Sequence, residues 1–291
     1  MDLMRNFRAV LAIAVIAATA SLSACFPSPG DLFGGGGNGS PASVSGKWSF
    51  LLTSNHGSSN NFDLDANFSQ STGAISAAQS VILSGSLCEF GTDFIQGNVN
   101  GSNISFTLAF GAEHPTASFS GSVSSDGLSM AGNYRIPSGD CTSSDSGTWA
   151  ATKFGDSTGS YSGQVTSTVN SRVITVLVAI AEDANNNLVA NATLTNGGCS
   201  MLNLTGVAIG SVLDLQNADG TVAFVSTASD PTYATLATEY EISGTSCGLA
   251  DNGMGTLSKV VPAVVGHSKA RTAVNPLANS LLQKILENRR N

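Results

Sequence analysis

Two stretches decide how this chain folds: GNYRIPSGDC at 132–141 and ATEYEISGTSC at 237–247. Each places a tyrosine, Tyr134 or Tyr240, seven residues before a cysteine, Cys141 or Cys247. Outward from that pair, other landmarks recur in the same order. Gly46-Lys47-Trp48 is answered by Gly159-Ser160-Tyr161. VILSGSLC ends at Cys88 and NATLTNGGC at Cys199, each five residues after a leucine, Leu83 or Leu194. QGNVNGSNISF, with Gly97, Gly101, Ile104 and Phe106, lies against TGVAIGSVLDL, with Gly206, Gly210, Leu213 and Leu215. Gly147-Thr148-Trp149 matches Gly255-Thr256-Leu257. Matches in one order at nearly equal spacing mark an internal duplication. They predict two homologous units, 45–154 and 158–260.

Within a unit the hydrophobic period is two. Phe62, Leu64, Ala66 and Phe68 alternate with Asp63, Asp65 and Asn67. Ile104, Phe106 and Leu108 alternate with polar residues after a turn at Asn100-Gly101. Phe119, Gly121 and Val123 lead into Ser125-Asp126-Gly127, and Leu128, Met130 and Gly132 follow. The second copy has Asp219-Gly220 before Val222 and Phe224. Asp-Gly between alternating segments is a strong hairpin signal. Turn signals every eight to twelve residues, without helical spacing, predict an all-β fold. The expectation is two tandem antiparallel β-barrels, or sandwiches, of about eight strands each. The run Val173 to Ile180 is apolar on both faces, as for a strand covered on both sides or one lying between the units.

The repeat also orders the cysteines. Four of the five fall in matched pairs, and four cysteines permit three pairings. Only Cys88–Cys141 with Cys199–Cys247 keeps both copies alike. The close cysteine pairs or adjacent histidines that a zinc site needs are missing, so no metal and no cofactor is expected.

The fifth cysteine has another explanation. Arg5 and Arg8 precede an apolar run from Ala9 to Ala20. That run is too short for a bilayer core, which needs about 20 residues, and it suits a secretory signal. Leu22-Ser23-Ala24-Cys25 resembles a bacterial lipobox. The resemblance implies cleavage of 1–24, a diacylglycerol thioether on Cys25 and an acylated new amino terminus. Several acyl chains, at roughly 0.8 kcal/mol per buried methylene, hold a protein on a membrane. Phe26 rather than aspartate after the cysteine points to the outer membrane. Residues 25–44, rich in Gly, Ser and Pro, read as a flexible tether. The glycine run Gly34 to Gly37 is no phosphate loop, because no Lys-Ser or Lys-Thr follows it.

Composition narrows the function. Of 291 residues, 12 are basic and 20 acidic. Without Arg5, Arg8 and Asp2 of the leader, 10 and 19 remain. No basic stripe exists to follow phosphates, which excludes nucleic acid as the natural partner. Secretion puts the chain in a compartment where disulfides persist.

The Gly-x-Trp at Gly46 to Trp48, echoed by Gly159-Ser160-Tyr161, resembles the opening of lipocalin-type and avidin-type barrels, where the aromatic plugs one end. The resemblance implies a meander barrel of about eight strands. The arginine that covers the tryptophan in lipocalins has no matching position in this sequence.

Candidate chemistry is sparse. His56, His114 and His267 each stand alone, without a carboxylate at motif spacing, and read as exposed loop residues. Glu182-Asp183 with Asn185 to Asn187 is rich in oxygen but lacks calcium-loop spacing and reads as a hairpin turn. Asp63 and Asp65 share one strand face, where a solvated surface explains them better than acid–base work. Trp48 and Trp149 read as core plugs rather than a ligand-stacking pair. Asn67 and Asn191 open sequons that bacteria normally leave unmodified.

Beyond the second unit, 261–291 reads as a tail. In it Leu277, Leu281, Leu282, Ile285 and Leu286 fall on one helical face over 276–288. Asn275 caps it, Pro276 starts it, and Arg289 and Arg290 suit its carboxyl end. The expectation is a non-enzymatic lipoprotein of the bacterial envelope that presents two disulfide-stapled β units to an envelope partner or in a structural role. The alternatives are a lipocalin-like carrier of a small apolar ligand and a hydrolase whose residues are scattered in sequence.

Overall fold

A computed structural model describes residues 40–84, 94–109, 116–138, 144–196, 198–243, 247 and 250–260. The chain divides into two compact units between Lys153 and Phe154. The first unit is a closed antiparallel barrel of eight strands in simple meander order. They are β1 (Gly46–Ser54), β2 (Phe62–Ser71), β3 (Ala74–Ser84), β4 (Phe94–Asn100), β5 (Asn103–Ala109), β6 (Thr116–Val123), β7 (Ser129–Ile136) and β8 (Asp145–Phe154). The second unit repeats the plan. Its strands are β9 (Gly159–Ser167), β10 (Val173–Glu182), β11 (Asn187–Thr195), β12 (Cys199–Ile209), β13 (Val212–Gln216), β14 (Val222–Ala228), β15 (Thr235–Ile242) and β16 (Asp251–Lys259). Closure fits the residue pattern. Each strand has one apolar face to bury, and a closed sheet leaves no open edge. The sandwich alternative is thereby set aside.

The hairpins fall where turn chemistry places them. Asn100-Gly101 joins β4 to β5, Asp126-Gly127 precedes β7, and Asp219-Gly220 precedes β14. Gly127 and Gly220 adopt φ of 69° and 68°, a left-handed conformation that a side chain would strain. Asp126 accepts hydrogen bonds from the Ser124 hydroxyl at 2.6 Å and the Leu128 amide at 2.9 Å, which closes the turn.

The first barrel has two unlike ends. Where β1 begins, the strand connections are short, at 72–73, 101–102 and 124–128. Where β1 ends they are longer, at 55–61, 85–93, 110–115 and 137–144. The chain preceding the first barrel therefore arrives at its short-turn end.

Both cores are closely packed, with different chemistry. Barrel 1 buries Trp48, Phe50, Phe62, Phe68, Phe106, Phe119, Tyr134 and Trp149. Apart from that of Trp48, their rings pair with one another, as in the stacked pair Phe106–Phe119 at 4.5 Å and the edge-on pair Phe106–Trp149 at 5.6 Å. Barrel 2 is lined mainly by aliphatics such as Val176, Val178, Leu204, Leu215 and Leu236 around Phe224 and Tyr240. The apolar run at 173–180 is β10. Ile174, Val176, Val178 and Ile180 face the core, and Ala179 and Ala181 are buried on the opposite face. Residues 25–39, the signal segment and the expected helix 276–288 lie outside the described residues. The last residues of the expected tether are not free chain: Val44 is fully buried in the core of barrel 1, and the Ala42 amide donates to the Gly101 carbonyl at 2.8 Å.

Candidate functional site

The duplication places one polar cluster in each barrel, at the end where its first strand, β1 or β9, finishes. In barrel 1, Ser54 is the last residue of β1 and Asp145 the first of β8, strands that meet where the barrel closes. The Ser54 hydroxyl donates to Asp145 Oδ1 at 2.7 Å, and the Tyr134 hydroxyl donates to Oδ2 at 2.7 Å. His56 Nδ1 lies 2.9 Å from Oδ1, and the Ser146 amide donates to the same oxygen. Burial raises the affinity of Asp145 for a proton. The hydrogen bonds from His56, Ser54, Tyr134 and Ser146 outweigh that effect and hold the carboxyl below its ordinary range.

Barrel 2 rebuilds the cluster. Ser167 donates to Asp251 Oδ1 at 2.5 Å and Tyr240 to Oδ2 at 3.1 Å. The cation here is Arg172, whose Nη2 reaches Oδ2 at 3.2 Å. Burial again raises the carboxyl's proton affinity, and bonds from Ser167, Tyr240, Arg172 and the Asn252 amide again overcome it. Each tyrosine ring also packs over a glycine directly opposite, Tyr134 on Gly147 and Tyr240 on Gly253. A Cβ at either glycine would lie 2.8 Å from the ring's Cε1.

This geometry ties strands together and leaves no activated nucleophile. Each serine gives its proton to a carboxylate that is strongly solvated by other donors, and no imidazole accepts it. A nucleophilic serine needs a base in that place. The buried carboxylates join the ends of strands that are distant in sequence, across 91 residues in one barrel and 84 in the other.

The opposite end of each barrel is plugged. Trp48 Nε1 donates to the Val44 carbonyl at 2.7 Å, and the Tyr161 hydroxyl donates to the Ser157 carbonyl at 2.6 Å, each four residues back. Lys153 Nζ lies 5.6 Å from the Trp48 ring centroid, and Lys259 Nζ lies 5.7 Å from that of Tyr161. Both are cation–π distances. The covering cation absent from the sequence pattern is thus a lysine at the end of the last strand in each unit. Between plug and cluster, the described residues of barrel 2 pack closely. Its interior cavity is about 10 Å³, the size of a single water site, lined by residues such as Val178, Leu204 and Phe224.

Several sequence expectations change here. His56 is exposed, as expected, yet it has a carboxylate partner, Asp145, 89 residues away. Asp65 does not lie on a solvated face: it is fully buried, and Lys47 on the same outward face of β1–β2 is buried too. Asp183 closes the β10–β11 turn by accepting from the Asn185 and Asn187 amides at 2.8 and 2.9 Å. Glu182 accepts from the Ser157 amide and hydroxyl at 2.7 and 2.6 Å. Trp48 closes one end, while Trp149 sits among the rings of mid-barrel. Cys199 and Cys247 are joined in a disulfide, with Cα atoms 4.9 Å apart. Cys88, Cys141, His114, His267 and Gly34 to Gly37 lie outside the described residues.

The aspartates went unnoticed in the sequence although a signal was present. The register that matches Tyr134 to Cys141 and Tyr240 to Cys247 continues four residues further, to Asp145 and Asp251.

No protein-family model matches the chain, and no curated protein matches it in sequence. Among solved structures it is similar to a protein of unknown function from the DUF3598 family of Nostoc punctiforme. That match has 14% identity and a TM-score of 0.22, over 74% of this chain and 96% of the other. It is also similar to intact Ap-TbpB with its N and C lobes, at 9% identity and a TM-score of 0.24, over 74% and 75%. A third is transferrin binding protein B of Haemophilus parasuis, at 10% identity and a TM-score of 0.24, over 74% of each chain.

Proposed function

We propose that this chain is a non-enzymatic lipoprotein of the bacterial envelope. Cys25 carries the lipid, the chain from there to about residue 39 forms the tether, and two solid barrels are presented for binding a partner at the surface or for a structural role. The observation that carries the reading is the filling of both barrels. Stacked aromatic rings occupy barrel 1, and the cavity in barrel 2 admits no more than a water. A carrier needs a pocket of at least a few hundred Å³. Solid barrels act through their outer surfaces. The four cysteines of the units form two bridges, Cys88–Cys141 in the first unit and Cys199–Cys247 in the second.

Two measurements on protein from its own cells test this. Cys25→Ala should move the protein from the detergent phase to the aqueous phase; unchanged partitioning refutes the anchor. Native mass spectrometry of the wild type should give the mass of the lipidated chain alone. A stoichiometric small apolar molecule retained with it would replace this reading with that of a carrier.

A further inference from the structure

The two copies differ on one covered patch. On the outward face of β1 and β2, Lys47 is 3% exposed, Asn67 is 8% exposed and Asp65 is fully buried. All three point away from the core, because Trp48, Leu64, Ala66 and Phe68 between them form the inner set. Lys47 stands directly opposite Asn67, and Asp65 is the next outward residue along β2, opposite Ser49. Barrel 2 keeps this register, with Tyr161 opposite Val178 where barrel 1 has Trp48 opposite Ala66. There the three positions hold Ser160, Ala179 and Leu177. Ala179 is buried as well. The same covered patch thus holds small or apolar side chains in one copy, and an amine, a carboxyl and a carboxamide in the other. Burying an amine and an acid costs free energy that alanine and leucine do not incur. The trio therefore points to a role other than packing.

The three groups are placed to react. Directly opposed residues on antiparallel strands hold their Cβ atoms about 4.5–5.5 Å apart. The four methylenes of Lys47 bring Nζ to the Asn67 carboxamide across that gap. Asn67 Nδ2 donates to Gln79 Oε1 at 3.1 Å, and Gln79 lies opposite on β3. That bond turns the amide nitrogen toward β3, away from the strand that carries Lys47.

We infer that Lys47 and Asn67 join in an intramolecular amide bond between β1 and β2, from Nζ to Cγ, with Asp65 as the proton carrier. Removal from water penalises both the ammonium and the carboxylate. Passing one proton from Lys47 to Asp65 leaves a neutral amine and a neutral acid. The Nζ lone pair attacks Cγ, and the Asp65 proton goes to Oδ1. Asp65 then takes a proton from the attacking nitrogen and passes it to Nδ2. The Cγ–Nδ2 bond breaks, and Asp65 withdraws the Oδ1 proton as the carbonyl re-forms. Ammonia leaves with that proton as ammonium, and Asp65 is a carboxylate again. Nothing is oxidised or reduced, and no co-reactant is consumed. Lys47 is the second residue of β1, at the end where the preceding chain enters. The bond pins β1 to β2 where a pull on that chain first loads the barrel.

Mass spectrometry of the full mature chain, denatured and reduced, tests this. The wild type should be lighter than its sequence plus lipid by one ammonia. Chymotrypsin, cutting at aromatic residues such as Trp48 and Phe68, should release a branched peptide in which Lys47 is joined to Asn67. Lys47→Arg and Asn67→Ala should each abolish the branch and restore the full mass. Asp65→Asn keeps both reacting groups and should slow the joining by at least about a hundredfold. A cooperative fluorescence transition from Trp48 and Trp149 shows that barrel 1 of each variant still folds. A wild-type chain of full mass without a branched peptide overturns the proposal. Loss of ammonia confined to a linear peptide, as in an internal imide, overturns it too. So does a branch from Lys47 to Asp65 with loss of water, or joining that proceeds unslowed in Asp65→Asn.

Discussion

Tyr134→Phe isolates one bond of the barrel 1 cluster. The ring is 3% exposed and its shape is retained, so no cavity forms. What disappears is the hydroxyl donor, 2.7 Å from Asp145 Oδ2. The Ser54, His56 and Ser146 donors all serve Oδ1, so Oδ2 loses its sole donor among the described residues. Asp145 is 5% exposed, and water cannot readily replace that donor. A lost bond to a buried charge costs about 1.5–3 kcal/mol. In barrel 2 the equivalent Tyr240→Phe leaves Arg172 on the same oxygen, at 3.2 Å, so its cost should be nearer 1 kcal/mol. Both tryptophans belong to barrel 1, so tryptophan fluorescence during urea unfolding reports that unit alone. With a slope of about 1.5 kcal/mol/M, Tyr134→Phe should lower the midpoint by about 1–2 M. Hydrogen exchange in β15 and β16 reads the effect of Tyr240→Phe. Equal costs in the two barrels, or an unmoved fluorescence midpoint, would show that these carboxylates do not brace the barrels as described.

Three further outcomes follow from the same structure. Removing the bridge with Cys199→Ala and Cys247→Ala should destabilise barrel 2 by about 4 kcal/mol in the chain-entropy model for a separation of 48 residues, and leave the fluorescence midpoint of barrel 1 in place. Stability should fall at both extremes of pH, as circular dichroism can follow. Asp145 and Asp251 have depressed affinity in the fold, so their contribution is present above about pH 4 and is lost on acidification through the lower folded values. Tyr240 is pushed up to about 12, chiefly by burial and then by Asp251, so its contribution holds below about pH 10 and is lost above it; Asp251→Asn should flatten the acid limb. Gly253→Ala should cost about 3 kcal/mol or more in barrel 2, because the added methyl meets the Tyr240 ring and the neighbouring strand, whereas Gly220→Ala, in an open turn, should cost only about 1 kcal/mol.

Much of this protein could be read along the chain because its information is local or repeated. Alternation in β2 and β5, the Asp-Gly turns and the two copies of Tyr-x6-Cys specify strands, hairpins and duplication. Each depends on neighbours within a dozen residues, or on a comparison of the chain with itself. Barrel closure was different. It decided that Ser54 meets Asp145, that His56 has an acid partner and that Lys153 covers Trp48. Those contacts join residues up to about a hundred positions apart, and their geometry depends on how β8 returns to β1 and β16 to β9. A periodic pattern can say which side of a strand is apolar. It carries no record of which distant strand end will lie beside it once the sheet curls shut, and the polar clusters exist only in that closed arrangement.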